Sequence, residues 1–157
     1  MQTLRKCRIV MMATALALLL PAPLGGALAH DNHLSYAAGE PGDPKKPSRD
    51  IVVDMGDRFY QPRKIEVKRG EQVRFVIRND GHEDHEFLLA TTEANLKHAE
   101  AMKKNPGMEH AEPNGIQLAP KKSGEIVWRF TKAGTFEFSC LIEGHREDGM
   151  IGTVVVK

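Results

Sequence analysis

The chain has 157 residues with 22 basic against 21 acidic side chains, and 41% of it is hydrophobic. That is enough apolar material for one domain with a real core, and the charge is too balanced to argue for nucleic-acid binding. Two cysteines are too few for a disulfide-built scaffold.

The first predicted element is an export signal. Arg5, Lys6 and Arg8 make a positive start, and Ile9 to Leu20 form an apolar run. The run is shorter than the roughly 20 residues a membrane-spanning helix needs. Ala27-Leu28-Ala29 then supplies a small-x-small cleavage pattern. Residues 1–29 are therefore expected to be a signal peptide, and the remaining chain is expected to be periplasmic, with no membrane anchor. Cleavage would remove three basic residues and no acidic one, leaving a slightly acidic protein. It would also remove Cys7, so that Cys140 becomes the lone cysteine in a compartment that oxidises thiols. Metal ligation is one reason to keep such a thiol.

Residues 30–49 carry Gly39, Pro41, Gly42, Pro44 and Pro47 with almost no apolar period, and are expected to form a mobile N-terminal arm. From residue 50 to 157, short apolar runs alternate with turn residues about every ten positions, the pattern of an all-β sandwich. Strands are expected at Ile51–Met55, Lys64–Lys68, Gln72–Arg78, Glu86–Ala90, Ile116–Ala119, Glu125–Phe130, Gly134–Cys140 and Gly152–Val156. Val73, Phe75 and Ile77 share one face, as do Ile126, Trp128 and Phe130. Phe136, Phe138 and Cys140 form a third such series, which turns the cysteine toward the core. Thr91 to Lys104 departs from this rhythm. It is rich in Glu, Ala, Leu, Lys and Met and is expected to be a short helical insertion stopped by Asn105-Pro106-Gly107.

The chemistry gathers near the C-terminus. Cys140, His145 and Met150 stand in one loop with four residues between each pair. A thiolate and two imidazoles with a weak axial thioether describe a blue-copper site. Soft sulfur suits Cu(I), while imidazole suits both oxidation states. The second imidazole should come from a distant strand, and His85 sits where a loop enters the strand Glu86–Ala90. His82, beside Gly81 in the loop, competes with it but lies farther from the strand.

The order His85…Cys140-His145-Met150, with the triplet between the last two strands, resembles the cupredoxin family. The Gly144-His145 and Gly149-Met150 pairs are similar to the phytocyanin loop, although Arg146 replaces the cysteine of that loop's disulfide. Over residues 50–157 the chain most resembles periplasmic copper-tolerance cupredoxins of the CopI type. The resemblance implies a Greek-key sandwich holding one mononuclear type 1 copper, and a role in surviving excess copper. One departure stands out. Plastocyanin and azurin carry Asn after the first ligand histidine, bracing the cysteine loop, whereas this chain has Glu86.

Two weaker copper features accompany the first. Cleavage after Ala29 would place His30 at the N-terminus with His33 three positions on, so a terminal amine and two imidazoles could chelate Cu(II). The insertion and its exit hold His98, Met102, Met108 and His110, with Met102, Met108 and His110 as candidate ligands of a second site; packing is the plainer role for the methionines.

Three classes of function compete. The preferred one is a monomeric copper-binding tolerance protein that also cycles the metal between valences. An electron shuttle with a periplasmic redox partner is the alternative, but Glu143, Arg146, Glu147 and Asp148 around His145 disfavour a broad apolar docking face. An enzyme using Cys140 and His145 as nucleophile and base fits less well, because Met150 has no part in that chemistry.

Overall fold

The computed structural model describes residues 36–104 and 112–157. The expected signal peptide, and His30 and His33 with it, lie outside the described residues, as do Met108 and His110.

Among the described residues, ten strands make two five-stranded sheets facing each other, with one helix beside them. They are β1 (Glu40–Pro41), β2 (Arg49–Gly56), β3 (Phe59–Gln61), β4 (Lys64–Val67), β5 (Gln72–Asn79), β6 (His85–Ala90), β7 (Gly115–Leu118), β8 (Ser123–Arg129), β9 (Gly134–Ser139) and β10 (Ile151–Val156), with α1 (Thr92–Lys104) between β6 and β7. One sheet runs β1-β8-β5-β2-β3 and the other β4-β10-β9-β6-β7. β2 and β5 pair in parallel, as do β4 and β10; the other neighbours are antiparallel. All eight expected strands are present to within two residues at either end.

The alternation read in the sequence becomes the core. Val73, Phe75 and Ile77 of β5, with Trp128 of β8 and Phe130 just beyond it, meet Phe87 and Leu89 of β6 and Phe136 and Phe138 of β9. The Phe87 and Phe138 rings stack at 5.0 Å, and Tyr60 of β3 stands edge-on to Phe138, also at 5.0 Å. Such pairs add to simple area burial and fix one packing arrangement.

β9 is buried on both faces: Phe136 and Phe138 look into the sandwich, while Glu137 and Ser139 are buried on the other side. The helix explains this, since α1 packs over β9 and β6. Its start is capped by Thr91, whose hydroxyl accepts the Ala94 N–H at 3.1 Å.

Two strands had no visible signal. β3 is three residues long and ends before Pro62, and β1 is two residues including a proline. Of the segment expected to be a mobile arm, the part from Tyr36 lies against the first sheet. Ala38 is wholly buried, Tyr36 packs edge-on to Trp128 at 5.2 Å, and Glu40 and Pro41 pair with Arg129 and Trp128.

Candidate metal centre

His85 is the first residue of β6 and is completely buried. The loop that delivers it is held by Asn79, itself buried. The Asn79 amide donates to the carbonyls of Glu83 and Leu118, both at 2.8 Å, and its oxygen accepts the Gly81 N–H at 2.9 Å. Cys140 follows the last residue of β9 and is likewise buried. His145 and Met150 come from the loop that joins β9 to β10.

That loop is built from its own backbone. The His145 N–H donates to Ile142 O, Met150 N–H to His145 O, and Cys140 N–H to Met150 O. Gly144 and Gly149 have φ of +83° and +96°. Left-handed backbone is costly for any residue with a Cβ, so each glycine lets the chain turn and present the residue after it. The Gly-His and Gly-Met pairs of the sequence thus have a conformational cause. Met150 is fully buried, with its backbone bonded to both Cys140 and His145.

Three ligand atoms converge. His85 Nδ1 lies 3.2 Å from His145 Nδ1, and Cys140 Sγ lies 3.3 Å from His145 Nδ1. All three ligand atoms fall within 4.8 Å of one another. Imidazoles bonded to one ion at about 2.0–2.1 Å stand roughly 3.3–3.6 Å apart, so this spacing fits a shared metal. His82 points elsewhere: its imidazole is 84% exposed and meets Asp57.

The surroundings tune each group. Burial pushes the Cys140 thiol up to about 11, although N–H groups of Glu86 and Ile142 favour the thiolate. The Glu86 N–H donates to Cys140 Sγ at 3.3 Å, and the Glu86 carboxylate accepts the Leu141 N–H at 3.2 Å. Burial also lowers the His145 pKa, helped by the nearby Arg58 and His85, so the ring is neutral and able to coordinate. The outer nitrogens of both imidazoles face carboxylates: His85 Nε2 meets Asp57 Oδ1 at 3.0 Å, and His145 Nε2 meets Glu83 Oε2 at 3.3 Å. Arg58 joins Glu83 at 2.9 Å to Asp148 at 3.1 Å, so ion pairs cover this side of His145.

A cupredoxin-like domain model matches residues 14–156. The chain belongs to the cupredoxin-like family. Copper is the cofactor of cupredoxins, and the His85, Cys140 and His145 donor set suits it. The chain is 51% identical over 133 residues to the copper-resistant cuproprotein CopI of Rubrivivax gelatinosus, covering 84% of this chain and 79% of that protein. It is 35% identical over 150 residues to the protein of the same description from Pseudomonas aeruginosa, covering 77% and 83%. Among solved structures, auracyanin B has the same cupredoxin fold, with a TM-score of 0.64 at 19% identity over 76% of this chain and 96% of that one.

Of the other expected ligands, Met102 alone lies among the described residues. Met102 is half-buried near the end of α1, four residues after His98, which is also half-buried. His98 lines a cavity of about 270 Å³ with Tyr36, Asn95, Glu112 and Asn114. Sequence reasoning missed Asp57, Arg58 and Glu83. They act through the turn between β2 and β3 and through the loop before His85, where no period or motif marks a charged residue as a partner. No helix among the described residues is long and apolar enough to cross a membrane.

Proposed function

We propose that this is a periplasmic copper-tolerance cupredoxin with one type 1 copper centre formed by His85, Cys140 and His145, and Met150 as the weak axial ligand. The observation that carries this reading is the convergence of two Nδ1 atoms and one Sγ within a buried, backbone-bonded frame. Bound copper would supply one-electron chemistry, and the protein's part is to hold its ligands still. The two relatives described as copper-resistant support the role in tolerance. His30 and His33, and Met102, Met108 and His110, serve in this reading as additional capture sites. The export signal in the sequence supports a periplasmic location.

The electron-shuttle alternative needs the outer edge of His145 open to a partner. The Glu83, Arg58 and Asp148 ion pairs lie over that edge, which favours holding copper over rapid exchange of electrons through an apolar face.

The test is a visible absorption titration of the protein begun at His30, with one, two and three equivalents of Cu(II). An intense thiolate-to-copper band at the first equivalent, absent in Cys140→Ala, is expected. Weak further absorbance from later equivalents, lost in a His30→Ala/His33→Ala variant, is expected if the N-terminal site fills. No intense band in the unmodified protein would overturn the assignment.

A further inference from the structure

Asp57 sits in the two-residue turn between β2 and β3, and all its polar contacts run toward the loop that carries His85. Its Oδ1 accepts the His82 N–H at 2.9 Å and lies 3.0 Å from His85 Nε2, while Oδ2 lies 3.0 Å from His82 Nδ1. Nitrogen groups thus converge on the Asp57 carboxylate from the His82 backbone and from the His85 and His82 rings. A carboxylate oxygen accepts, so in the neutral His85 ring the proton sits on Nε2. Its Nδ1 is then a bare lone pair, and that atom is the one facing Cys140 and His145.

Gly81 supplies an independent observation. A Cβ built there would come 2.3 Å from Asp57 Oδ1 and 2.8 Å from His85 Nε2. The Gly81 backbone is not left-handed, so the position is small because the carboxylate–imidazole bond occupies the space.

We propose that Asp57 is a positioning residue of the copper centre, a carboxylate that fixes the tautomer and orientation of His85 and makes its Nδ1 a stronger donor to the oxidised metal. This rests on His85 being a copper ligand. Outer carboxylates of this kind typically contribute about 10–100-fold in metal affinity. The negative charge favours Cu(II) over Cu(I), so removing it raises the reduction potential. A tenfold loss of Cu(II) affinity relative to Cu(I) corresponds to a rise of about 59 mV for one electron.

The test has a metal-free and a copper-bound arm. Nitrogen-15 NMR of the apoprotein should show His85 as the Nε2–H tautomer in the wild type and in Asp57→Asn, which keeps an acceptor, and as a mixture in Asp57→Ala. With copper, Asp57→Asn and Asp57→Ala should both raise the potential, and Asp57→Ala should weaken Cu(II) binding about 10–100-fold in a chelator competition. Gly81→Ala, which leaves the carboxylate but crowds the bond, should shift the potential in the same direction. His82→Ala, which removes only the contact to Oδ2, should leave the His85 tautomer unchanged. A wild-type tautomer in Asp57→Ala, or an unchanged potential in Asp57→Asn, would overturn the proposal. A wild type with no thiolate-to-copper band would instead defeat the copper assignment, and the apoprotein spectra would still judge what Asp57 does to His85.

Discussion

Glu86 touches the cysteine side of the centre twice, once through its backbone N–H to the Cys140 sulfur and once through its carboxylate to the Leu141 N–H. The side chain thus ties β6 to the start of the ligand loop, the role expected of Asn at this position in other cupredoxins. The replacement noticed in the sequence keeps an acceptor at the position while adding a charge and a methylene. Glu86→Gln keeps the acceptor and should leave apoprotein stability within about 0.5 kcal/mol. Glu86→Ala strands the Leu141 N–H and should cost about 1–2 kcal/mol in urea unfolding of the metal-free protein. Equal losses in the two variants would show that the charge, and not the hydrogen bond, matters there. The candidate ligands His85, Cys140 and His145 stand out in the sequence because their residue types and spacing are chemically restricted. Asp57 does not, because any of 21 acidic residues could have met His85, and only the turn between β2 and β3 decides which one does.

The helix joins the metal loop through one carboxylate. Glu137 of β9 accepts both Arg146 Nε and Nη2, at 3.1 and 2.9 Å, together with the Asn95 amide and the Thr92 hydroxyl of α1. Arg146 directly follows His145, so α1, β9 and the ligand loop meet at this group. Burial pushes the Glu137 carboxyl up, but the bonds from Arg146, Asn95 and Thr92 outweigh it and hold the pKa below the usual value. A carboxyl with a lower pKa in the folded state adds stability above its unfolded value of about 4.3, and that stability is lost as pH falls through the folded pKa. Apoprotein stability should therefore fall on acidification below about pH 4.3, and Glu137→Gln should flatten that part of the curve. Arg146→Ala leaves the buried carboxylate without its cation and should cost about 3 kcal/mol at neutral pH, measured by urea unfolding. The helix was legible from composition, but its docking was not, because Glu137 reads as the outward residue of an alternating strand until something covers it. β9 and β10 hold a tighter constraint. Gly152 stands directly opposite Phe138, and a Cβ there would fall 2.0 Å from the ring. Phe138 is fully buried among Tyr60 and Phe87, so the ring has little room to yield. Gly152→Ala should destabilise the protein by about 1–3 kcal/mol, read as a lower urea midpoint.

At the scale of the whole molecule, sheet content followed from period-two runs such as Val73-Phe75-Ile77, whereas strand order did not. β2 beside β5 and β4 beside β10 are parallel neighbours far apart in sequence, and side-chain alternation carries no record of which strand lies alongside which. The edge pairing of Glu40 and Pro41 was hidden for a related reason, since two residues have no period. What the finished fold implies is a frame complete without metal. The aromatic core from Trp128 to Phe138 lies between the sheets, and the ligand loop is closed by its own backbone bonds. Small metal domains that lack such a core are unfolded when stripped; this one should not be. The metal-free protein is expected to unfold in a single cooperative thermal transition. Copper that binds only the folded state adds about 2.7 kcal/mol at a free concentration one hundred times Kd. For a domain of this size that is a rise in Tm of roughly 10 °C, growing with copper concentration. Differential scanning fluorimetry across a copper series checks it, with Cys140→Ala expected to keep the metal-free transition and lose most of the shift. If the metal-free chain showed no transition, the metal would be part of the frame itself. If Cys140→Ala kept the full shift, the stabilising copper would sit elsewhere, and the N-terminal histidines or the insertion would have to hold it.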